Sequence, residues 1–309
     1  MVRRLQNRVA ESRMLLPFTA VYAALVWTAA RMQGGELWVQ FACFAAASYL
    51  MVELNTANAL IRIYSRLVSC SFIVLACMDC GGFGSVSGSV AGLCAVGALS
   101  ALLRCYQNRD ASGWAFCAFL AIGTGSLASV WMLYYVPVAW LLMATTLSAM
   151  GWRTFFASVI GIVCPYWFAS AYVIYAGDVT DALVHFAGLA DFGSIADLCV
   201  LSTNQILVAS LVVVLTVAGS VHFIATSYKD KIRTRAFYYS FILVSFVTVA
   251  ALVLQPQRYD LLIRVLIVNA SPLAAHFFAL THSRFTNIAF MVVVAAVAAL
   301  TALNLWIPL

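Results

Sequence analysis

Charged residues are scarce in this chain. Its 17 basic and 11 acidic side chains make up 9% of 309 residues, whereas about a quarter of the residues of a soluble domain are charged. Hydrophobic residues make up 64%, and the mean hydropathy is +0.99. This number of charges is too small to cover a surface that faces water. The composition therefore excludes a water-soluble globular protein and predicts one solvated by lipid.

Alternating polar and apolar residues, which mark the strands of a membrane barrel, are also missing. Stretches such as 290–300 are apolar on every side. Because backbone groups in lipid must be hydrogen-bonded internally, the remaining solution is a bundle of helices. We therefore predict an all-α, polytopic membrane protein that forms a single integral membrane domain over 1–309, with no cofactor and no bound metal.

Eleven apolar segments approach the length of about 20 residues that a membrane crossing needs. The sixth has only 15 residues, but the run 114–150 is 37 residues long, so we divide it at a turn containing Tyr134, Tyr135 and Pro137. The predicted spans are 14–30, 37–54, 59–78, 86–103, 114–134, 136–150, 155–175, 205–226, 236–254, 261–280 and 288–307.

The basic segment 1–13 precedes the first apolar run, as in a signal peptide. However, the apolar run is not followed by the small residues of a cleavage site, because Arg31 and Met32 come directly after Ala30. We therefore expect a cytoplasmic N-terminus followed by a first membrane helix.

The basic residues are distributed unevenly among the predicted loops. With the N-terminus inside, fourteen Lys and Arg residues lie on the cytoplasmic side and three, Arg31, Arg258 and Arg264, on the other. Because Lys and Arg accumulate in cytoplasmic loops, this predicts an N-in, C-out topology. The net charge of +6 is then a topology signal, and we expect no nucleic-acid partner.

Cys77 and Cys80 form a C-x-x-C pair at the outer end of the third predicted span. Such a pair forms a disulfide or redox centre in an oxidising compartment, but buried thiols also serve as small hydrophobic residues, and the sequence leaves both alternatives open. A nearby glycine-rich stretch lacks the Gly-Lys-Ser/Thr ending of a phosphate loop. We expect Gly84, Gly88 and Gly92 to form a helix-packing face instead.

Four arginines are candidates for binding a phosphate or a lipid headgroup. Arg62 and Arg66 lie one turn apart if the third span is helical, and Arg104 and Arg153 lie on adjoining cytoplasmic loops. A guanidinium matches phosphate oxygens with a planar fork of donors. The simpler alternative is that these side chains extend to the headgroup region and set the topology.

The longest loop, 177–198, is external in this topology and suits an interfacial helix. If it is helical, Asp178, Asp181 and His185 share one face, and they are the weak catalytic candidates of this chain, as acid, base or cation ligands. Two further acids, Asp191 and Asp197, favour a solvated acidic face instead.

The tenth span contains polar residues at membrane depth, where they are costly and by default functional candidates. These are Arg264, Asn269 and His276, and His222 in the eighth span is a possible facing partner. An interhelical hydrogen bond is the simpler use of these side chains.

Three stretches, 101–143, 151–178 and 261–285, together with Asn55 and Asn58, resemble an uncharacterised family of polytopic inner-membrane proteins of Gram-negative bacteria. The resemblance implies location in the bacterial inner membrane as a multi-pass protein. It brings no established reaction with it.

The middle of the chain also distantly resembles the membrane cores of GT-C-type glycosyltransferases, in a basic loop and helix pair followed by Gly151, Trp152 and Arg153. That resemblance implies a polyprenyl-phosphate-linked substrate and an acidic pair in the first external loop. Here that loop offers Glu36 alone, a departure that argues against this chemistry.

Three functions follow as hypotheses. The first is a non-catalytic accessory component of envelope or surface-glycan assembly, with the bilayer, an anionic or polyprenyl-phosphate lipid and other membrane proteins as partners. The second is a GT-C-like enzyme acting on a polyprenyl-phosphate-linked substrate, and the third is a transporter. Inverted repeats typical of transporters are not evident in the sequence.

Overall fold

A computed structural model describes residues 5–33, 37–176, 179–193 and 195–306. Within these ranges the secondary structure consists of helices, with no strand. The α-helices are α1 (Leu5–Glu11), α2 (Leu15–Gln33), α3 (Trp38–Asn58), α4 (Leu67–Met78), α5 (Val86–Arg104), α6 (Ser112–Ala128), α7 (Tyr135–Ala144), α8 (Trp152–Ala176), α9 (Val179–Ala187), α10 (Thr203–Thr226), α11 (Ile232–Leu254), α12 (Tyr259–Leu280) and α13 (Arg284–Trp306).

Seven of these helices are long and apolar enough to cross a membrane: α2, α5, α8, α10, α11, α12 and α13. Three shorter apolar helical segments, Leu67–Met78, Ser112–Ala128 and Val130–Ala144, accompany them. The chain is therefore a helical membrane protein, as the composition predicts. The count of eleven crossings and the N-in orientation stay predictions.

The third predicted span differs from the structure. A helix was expected over 59–78, but α4 begins only at Leu67 and residues 59–66 are irregular. Ala59 ends α3 in the left-handed conformation, with φ of 45°, and the side chain of Asn55 donates to the carbonyl of Ser65 at 2.9 Å. Arg62 and Arg66 consequently lie in a loop and not one turn apart on a helix.

The sixth predicted span also differs. The sequence predicts a turn at Tyr134, Tyr135 and Pro137, but α6 ends earlier, at Ala128, and the next residue, Ser129, is extended. A 3₁₀ turn, Val130–Tyr134, then leads into α7. Pro137 falls in the first turn of α7, where the missing N–H breaks no helical hydrogen bond. It therefore continues the helix rather than ending it.

The helix α12 is the most buried of the seven long apolar helices. It packs against α10, α11, α4 and α5. At Gly219 of α10, an added Cβ would lie 2.7 Å from the backbone carbonyl carbon of Leu273, so the two helix backbones meet directly there. The polar residues of α12 are consequently held in the centre of the bundle.

Hydrogen bonds fix what lies at each end of the bundle. The side chain of Gln6 donates to the carbonyl of Phe278 at 3.1 Å, just before α13 begins. Asn304, near the end of α13, donates to the carbonyl of Met78 at 2.7 Å. Since α13 has 23 residues, about 34 Å, these contacts mark opposite ends.

We call the end that holds residues 58–66, 104–111, 147–153 and 227–233 the arginine-rich end. Backbone contacts join its loops, such as that from the N–H of Gln107 to the carbonyl of Leu147 at 2.8 Å. The end that holds Met78 and Tyr259 we call the opposite end.

Candidate functional site

Two loops at the arginine-rich end are joined by side-chain contacts. Arg62 Nε lies 2.9 Å from Asp230 Oδ1, and Arg233 donates from Nη2 to the Oδ1 of Asn58 at 3.1 Å. We call residues 59–66 and 227–233 the basic loop pair. Together they contain five basic side chains, Arg62, Arg66, Lys229, Lys231 and Arg233, and one acid, Asp230.

Asp230 is the buried centre of this site, since its side chain is only 1% exposed. The chain turns at Ser227–Lys229 after α10, and the N–H of Asp230 donates to the carbonyl of Ser227 at 3.0 Å. This turn directs the carboxylate inward, where its second oxygen, Oδ2, lies 3.2 Å from His276 Nε2. Asp230 thereby connects the surface arginine to the central helix.

Arg62 is held by one nitrogen and presents the others. Its Nε lies 2.9 Å from Asp230 Oδ1 as an ion pair without hydrogen-bond geometry, and the side chain is 36% exposed. A guanidinium has five N–H donors in a fixed fork. Within the described chain, no protein acceptor binds the terminal nitrogens of Arg62. The ion pair therefore keeps the guanidinium beside Asp230, while its two terminal nitrogens are available to an anion.

His276 lies behind Asp230 in an aromatic enclosure and is fully buried. Its ring centroid is 5.5 Å from that of His222 and 4.8 Å from that of Tyr238. The Nδ1 atoms of both histidines are buried without a hydrogen-bond partner in the described chain. The structure thus brings together the two histidines that the sequence suggested as facing partners.

Asn269 is separate from this cluster. Its side chain donates to the carbonyl of Val265 in its own helix at 2.8 Å, and its Oδ1 has no partner in the described chain. Seven residues of α12 separate it from His276, about 10 Å along the axis. Asn269, His276 and His222 therefore form no continuous hydrogen-bonded relay.

The four arginines named from the sequence divide between different settings. Arg66 donates from Nε to the hydroxyl of Tyr64 at 3.2 Å. Arg153 Nη1 lies 3.3 Å from Asp110 Oδ1, and both side chains are 78% exposed. A pair so exposed to solvent contributes little binding or stability.

Arg104 is paired with Glu53, and its guanidinium carbon lies 4.3 Å from the ring centroid of Trp114. Together with Asn58 these residues line a cavity of about 270 Å³. Only Arg62 and Arg66 of the four belong to the basic loop pair.

Asp230 and Arg233 are not among the site residues predicted from the sequence. The local signal was the run of alternating charges Lys229, Asp230, Lys231 that directly follows an apolar helix. Their partners, Arg62 and Asn58, lie more than 160 positions away, so the pairing depends on tertiary structure.

The acidic candidates lie elsewhere. Asp178 is outside the described residues, and so is the side chain of Asp181. His185 lies in α9, with its ring centroid 6.3 Å from that of Tyr166 and its Nε2 buried without a partner in the described chain. These residues precede α10 and Asp230 follows it, so about 36 Å of helix separates the two regions.

Arg264 marks a second polar cluster, at the opposite end. It donates to the carbonyl of Gly82, and Tyr259 donates to Asp79 at 3.3 Å. Asp79 follows the last residue of α4, and burial raises the pKa of its carboxyl to about 7 against the opposing effects of the Arg264 charge and the Tyr259 hydrogen bond. A cavity of about 40 Å³ adjoins Asp79 and Arg264, enough for a bound water.

The glycine face is occupied by a side chain. A Cβ on Gly88 would lie 2.8 Å from Arg264 Nε, and one on Gly92 would lie 3.6 Å from Arg264 Cβ. Gly84 lies in a 3₁₀ turn before α5 and has open space around it. The packing prediction thus concerns Gly88 and Gly92, where the small residues make room for the half-buried side chain of Arg264.

The C-x-x-C pair consists of two free, buried thiols. The thiol of Cys80 donates to the carbonyl of Cys77 at 2.8 Å, as a small packed residue does. Within the described residues, no group of three or more His, Cys, Asp or Glu side chains is arranged to hold a metal ion.

Comparison of the chain with protein-family models, with curated proteins and with solved structures finds no match. The description of the chain as a helical membrane protein therefore rests on the length and apolar composition of its seven long helices.

Proposed function

We propose that this protein is a multi-pass protein of the bacterial inner membrane that binds the phosphate of an anionic lipid at the basic loop pair. In this proposal it is a non-catalytic, accessory component of envelope or surface-glycan assembly, and polyprenyl phosphates are among the lipids that fit. The observation that carries the proposal is the arrangement of Arg62, fixed from behind by Asp230 with its outer donors free.

Preorganisation is what makes Arg62 a suitable anion site. A flexible surface arginine loses side-chain freedom when it binds a ligand, whereas the contact with Asp230 at 2.9 Å already restricts this one. Phosphate accepts two parallel N–H bonds from one guanidinium. A lipid phosphate therefore binds here at a lower entropic cost than at Arg153.

The local charge also favours an anion. The five basic groups of the basic loop pair face a single acid, and that acid is shared between Arg62 and His276. In the proposed orientation this end faces the cytoplasmic leaflet, whose anionic lipids attract basic segments next to the membrane by about 1 kcal/mol per charge.

Binding without catalysis fits the placement of the histidine. His276 is fully buried, so it supports Asp230 and does not reach a ligand at the surface. The GT-C-like alternative assigns proton transfer to the segment containing His185, which α10 separates from Arg62. We therefore favour the accessory role over an enzyme.

The direct test is native mass spectrometry of the purified protein with dioleoyl phosphatidic acid. Arg62→Gln removes a charge-assisted contact of about 1.5–3 kcal/mol, so we expect affinity to fall about tenfold to a hundredfold. Arg153→Gln is the matched control and should bind as the wild type does. Dioleoylglycerol, which lacks the phosphate, should bind weakly to all three.

Equal affinity of the wild type and Arg62→Gln for phosphatidic acid would contradict the headgroup site. The accessory role is tested separately, by measuring lipid-linked glycan intermediates in a deletion strain complemented with either variant. We expect the intermediates to change on deletion and to be restored by Arg153→Gln but not by Arg62→Gln.

A further inference from the structure

A cavity of about 490 Å³ lies at the opposite end of the bundle, between α11 and the turn Val130–Tyr134. Its wall includes the aromatic side chains of Trp131, Tyr134, Phe192 and Phe246. This volume is within the range of about 300–1,000 Å³ found for small-molecule sites. The cavity is therefore large enough for part of a lipid chain.

Gln255 is the unusual member of this wall. It ends α11 and is 6% exposed, and its backbone N–H donates to the carbonyl of Ala251 at 2.8 Å. Its side-chain Oε1 is buried and has no hydrogen-bond partner in the described chain. A buried acceptor left unpaired destabilises the fold, so a donor bound here would relieve that penalty.

The other polar groups of the wall are already paired. The indole of Trp131 donates to the carbonyl of Gly188 at 3.0 Å, and the hydroxyl of Tyr134 donates to the carbonyl of Leu189 at 2.7 Å. The hydroxyl of Tyr135 lies 3.0 Å from that of Thr248. Among these wall side chains, Gln255 Oε1 is therefore the acceptor that has no partner in the described chain.

The charge around the cavity indicates an uncharged ligand. None of its described wall residues is charged. Arg258 lies with its guanidinium carbon 5.2 Å from the ring centroid of Trp131, but its Nη2 is 2.9 Å from Asp191, so the two charges compensate each other. An ionised phosphate or carboxylate would be desolvated here without a counter-charge, which is costly.

We propose that this cavity binds a neutral lipid with a hydroxyl group, such as a long-chain alcohol. The apolar chain lies against Phe192 and Phe246, and the hydroxyl donates a hydrogen bond to Gln255 Oε1. This site is independent of the basic loop pair, because it lies at the opposite end and selects an uncharged head.

The test uses the full-length protein in lipid nanodiscs and a hexadecan-1-ol probe with a diazirine in its chain. Photo-cross-linking followed by peptide mass spectrometry should label segments containing Phe192 or Phe246. The methyl ether of the same probe keeps the chain and the oxygen but donates no hydrogen bond. We expect the ether to label these segments at least fivefold less.

Variants then separate the acceptor from the cavity. Gln255→Leu should reduce labelling by the alcohol to the level of the ether. Ala250→Trp fills the cavity and should reduce labelling by both probes, whereas Val253→Trp, on the same helix but outside the wall, should leave labelling unchanged.

Equal labelling of the wild type by the alcohol and the ether would overturn the proposal and leave an ordinary acyl-chain groove. Stronger labelling by the corresponding hexadecyl phosphate would also overturn it, since it would show an anion site. Both comparisons use the wild-type protein and do not depend on whether a variant folds.

Discussion

At both ends of the bundle an arginine and an aspartate lie on α12 or beside it, but their contacts differ. At the arginine-rich end Asp230 touches both Arg62 and His276, so that each charge has a direct partner. At the opposite end Arg264 donates to a backbone carbonyl, and Asp79 accepts from Tyr259. The first arrangement is a connected ion cluster, whereas in the second Arg264 and Asp79 have different hydrogen-bond partners and interact through their charges.

The two ends therefore differ in whether the arginine is exposed and able to bind a ligand. Because buried Asp230 fixes Arg62 from behind, the arginine remains partly exposed and oriented. Arg264 lies against Gly82 and Gly88, and its charge acts on the buried Asp79, so the side chain is used inside the bundle. The comparison assigns ligand binding to one arginine and an architectural role to the other.

The largest effect should come from removing the centre of the ion cluster. Asp230→Ala leaves Arg62 without its acid and His276 without its acceptor. The buried Nε2 of His276 left unpaired costs about 1–3 kcal/mol, and loss of the ion pair with the half-exposed Arg62 adds at most about 1 kcal/mol. Thermal unfolding in detergent should show a large drop in melting temperature.

The matched control is Asp110→Ala, which breaks the exposed pair with Arg153 and should cost at most about 1 kcal/mol. If Asp230→Ala destabilises no more than this control, the ion cluster is not a structural unit and the contrast between the two ends disappears.

The next effect is a pH dependence at the opposite end. The pKa of Asp79 in the folded protein is raised to about 7. Between the ordinary pKa of an aspartate and about pH 7, the folded protein therefore keeps a proton on Asp79 that the unfolded chain has lost. The contribution of Asp79 to stability is therefore greatest at low pH and is lost as the pH rises to about 7.

Asp79→Asn, which cannot ionise, should raise the melting temperature at pH 8 relative to the wild type and bring little change at pH 4. The two melting curves should be compared across this range. If the difference in melting temperature between Asp79→Asn and the wild type is the same at pH 4 and pH 8, Asp79 ionises in the folded protein without penalty.

A smaller effect is expected where glycine makes room for Arg264. Gly88→Ala places a Cβ 2.8 Å from Arg264 Nε, and overpacking of this kind costs about 1–3 kcal/mol. Gly84→Ala has open space around it and serves as the control. Equal melting temperatures for the two variants would show that Gly88 is not needed to make room for Arg264.

The smallest effect should be a gain. Gln255→Leu replaces an unpaired buried acceptor with an apolar side chain, so without ligand we expect stabilisation of about 1 kcal/mol. Differential scanning fluorimetry in detergent without added lipid measures it. A clear loss of stability would mean that the Gln255 side chain is satisfied within the protein.

Much of the fold was accessible from the sequence because hydrophobic runs determine membrane helices directly. The segment 205–226 became α10, and 261–280 became α12, each within two residues. The irregular loop before α4 was not accessible, since its apolar residues Leu60, Ile61 and Ile63 continue the hydrophobic run. Only the backbone of Ala59 and the side chain of Asn55 end the helix there.

The sites were less accessible because their partners are distant in sequence. Asp230 and His276 lie 46 positions apart, and no local pattern relates them. The glycine spacing predicts a packing face, but it does not specify that the side chain of Arg264 lies against Gly88 and Gly92. The cavity at Gln255 exists only once α11 and the aromatic turn are packed together.

The most direct test of the account is to map where a phosphate lipid binds. A phosphatidic acid analogue with a photoreactive group beside its phosphate should be cross-linked to the full-length protein in nanodiscs. The account predicts labelled peptides from 59–66 and 227–233, and loss of this labelling in Arg62→Gln. Labelling concentrated around Trp131 and Gln255, or unchanged in Arg62→Gln, would contradict it.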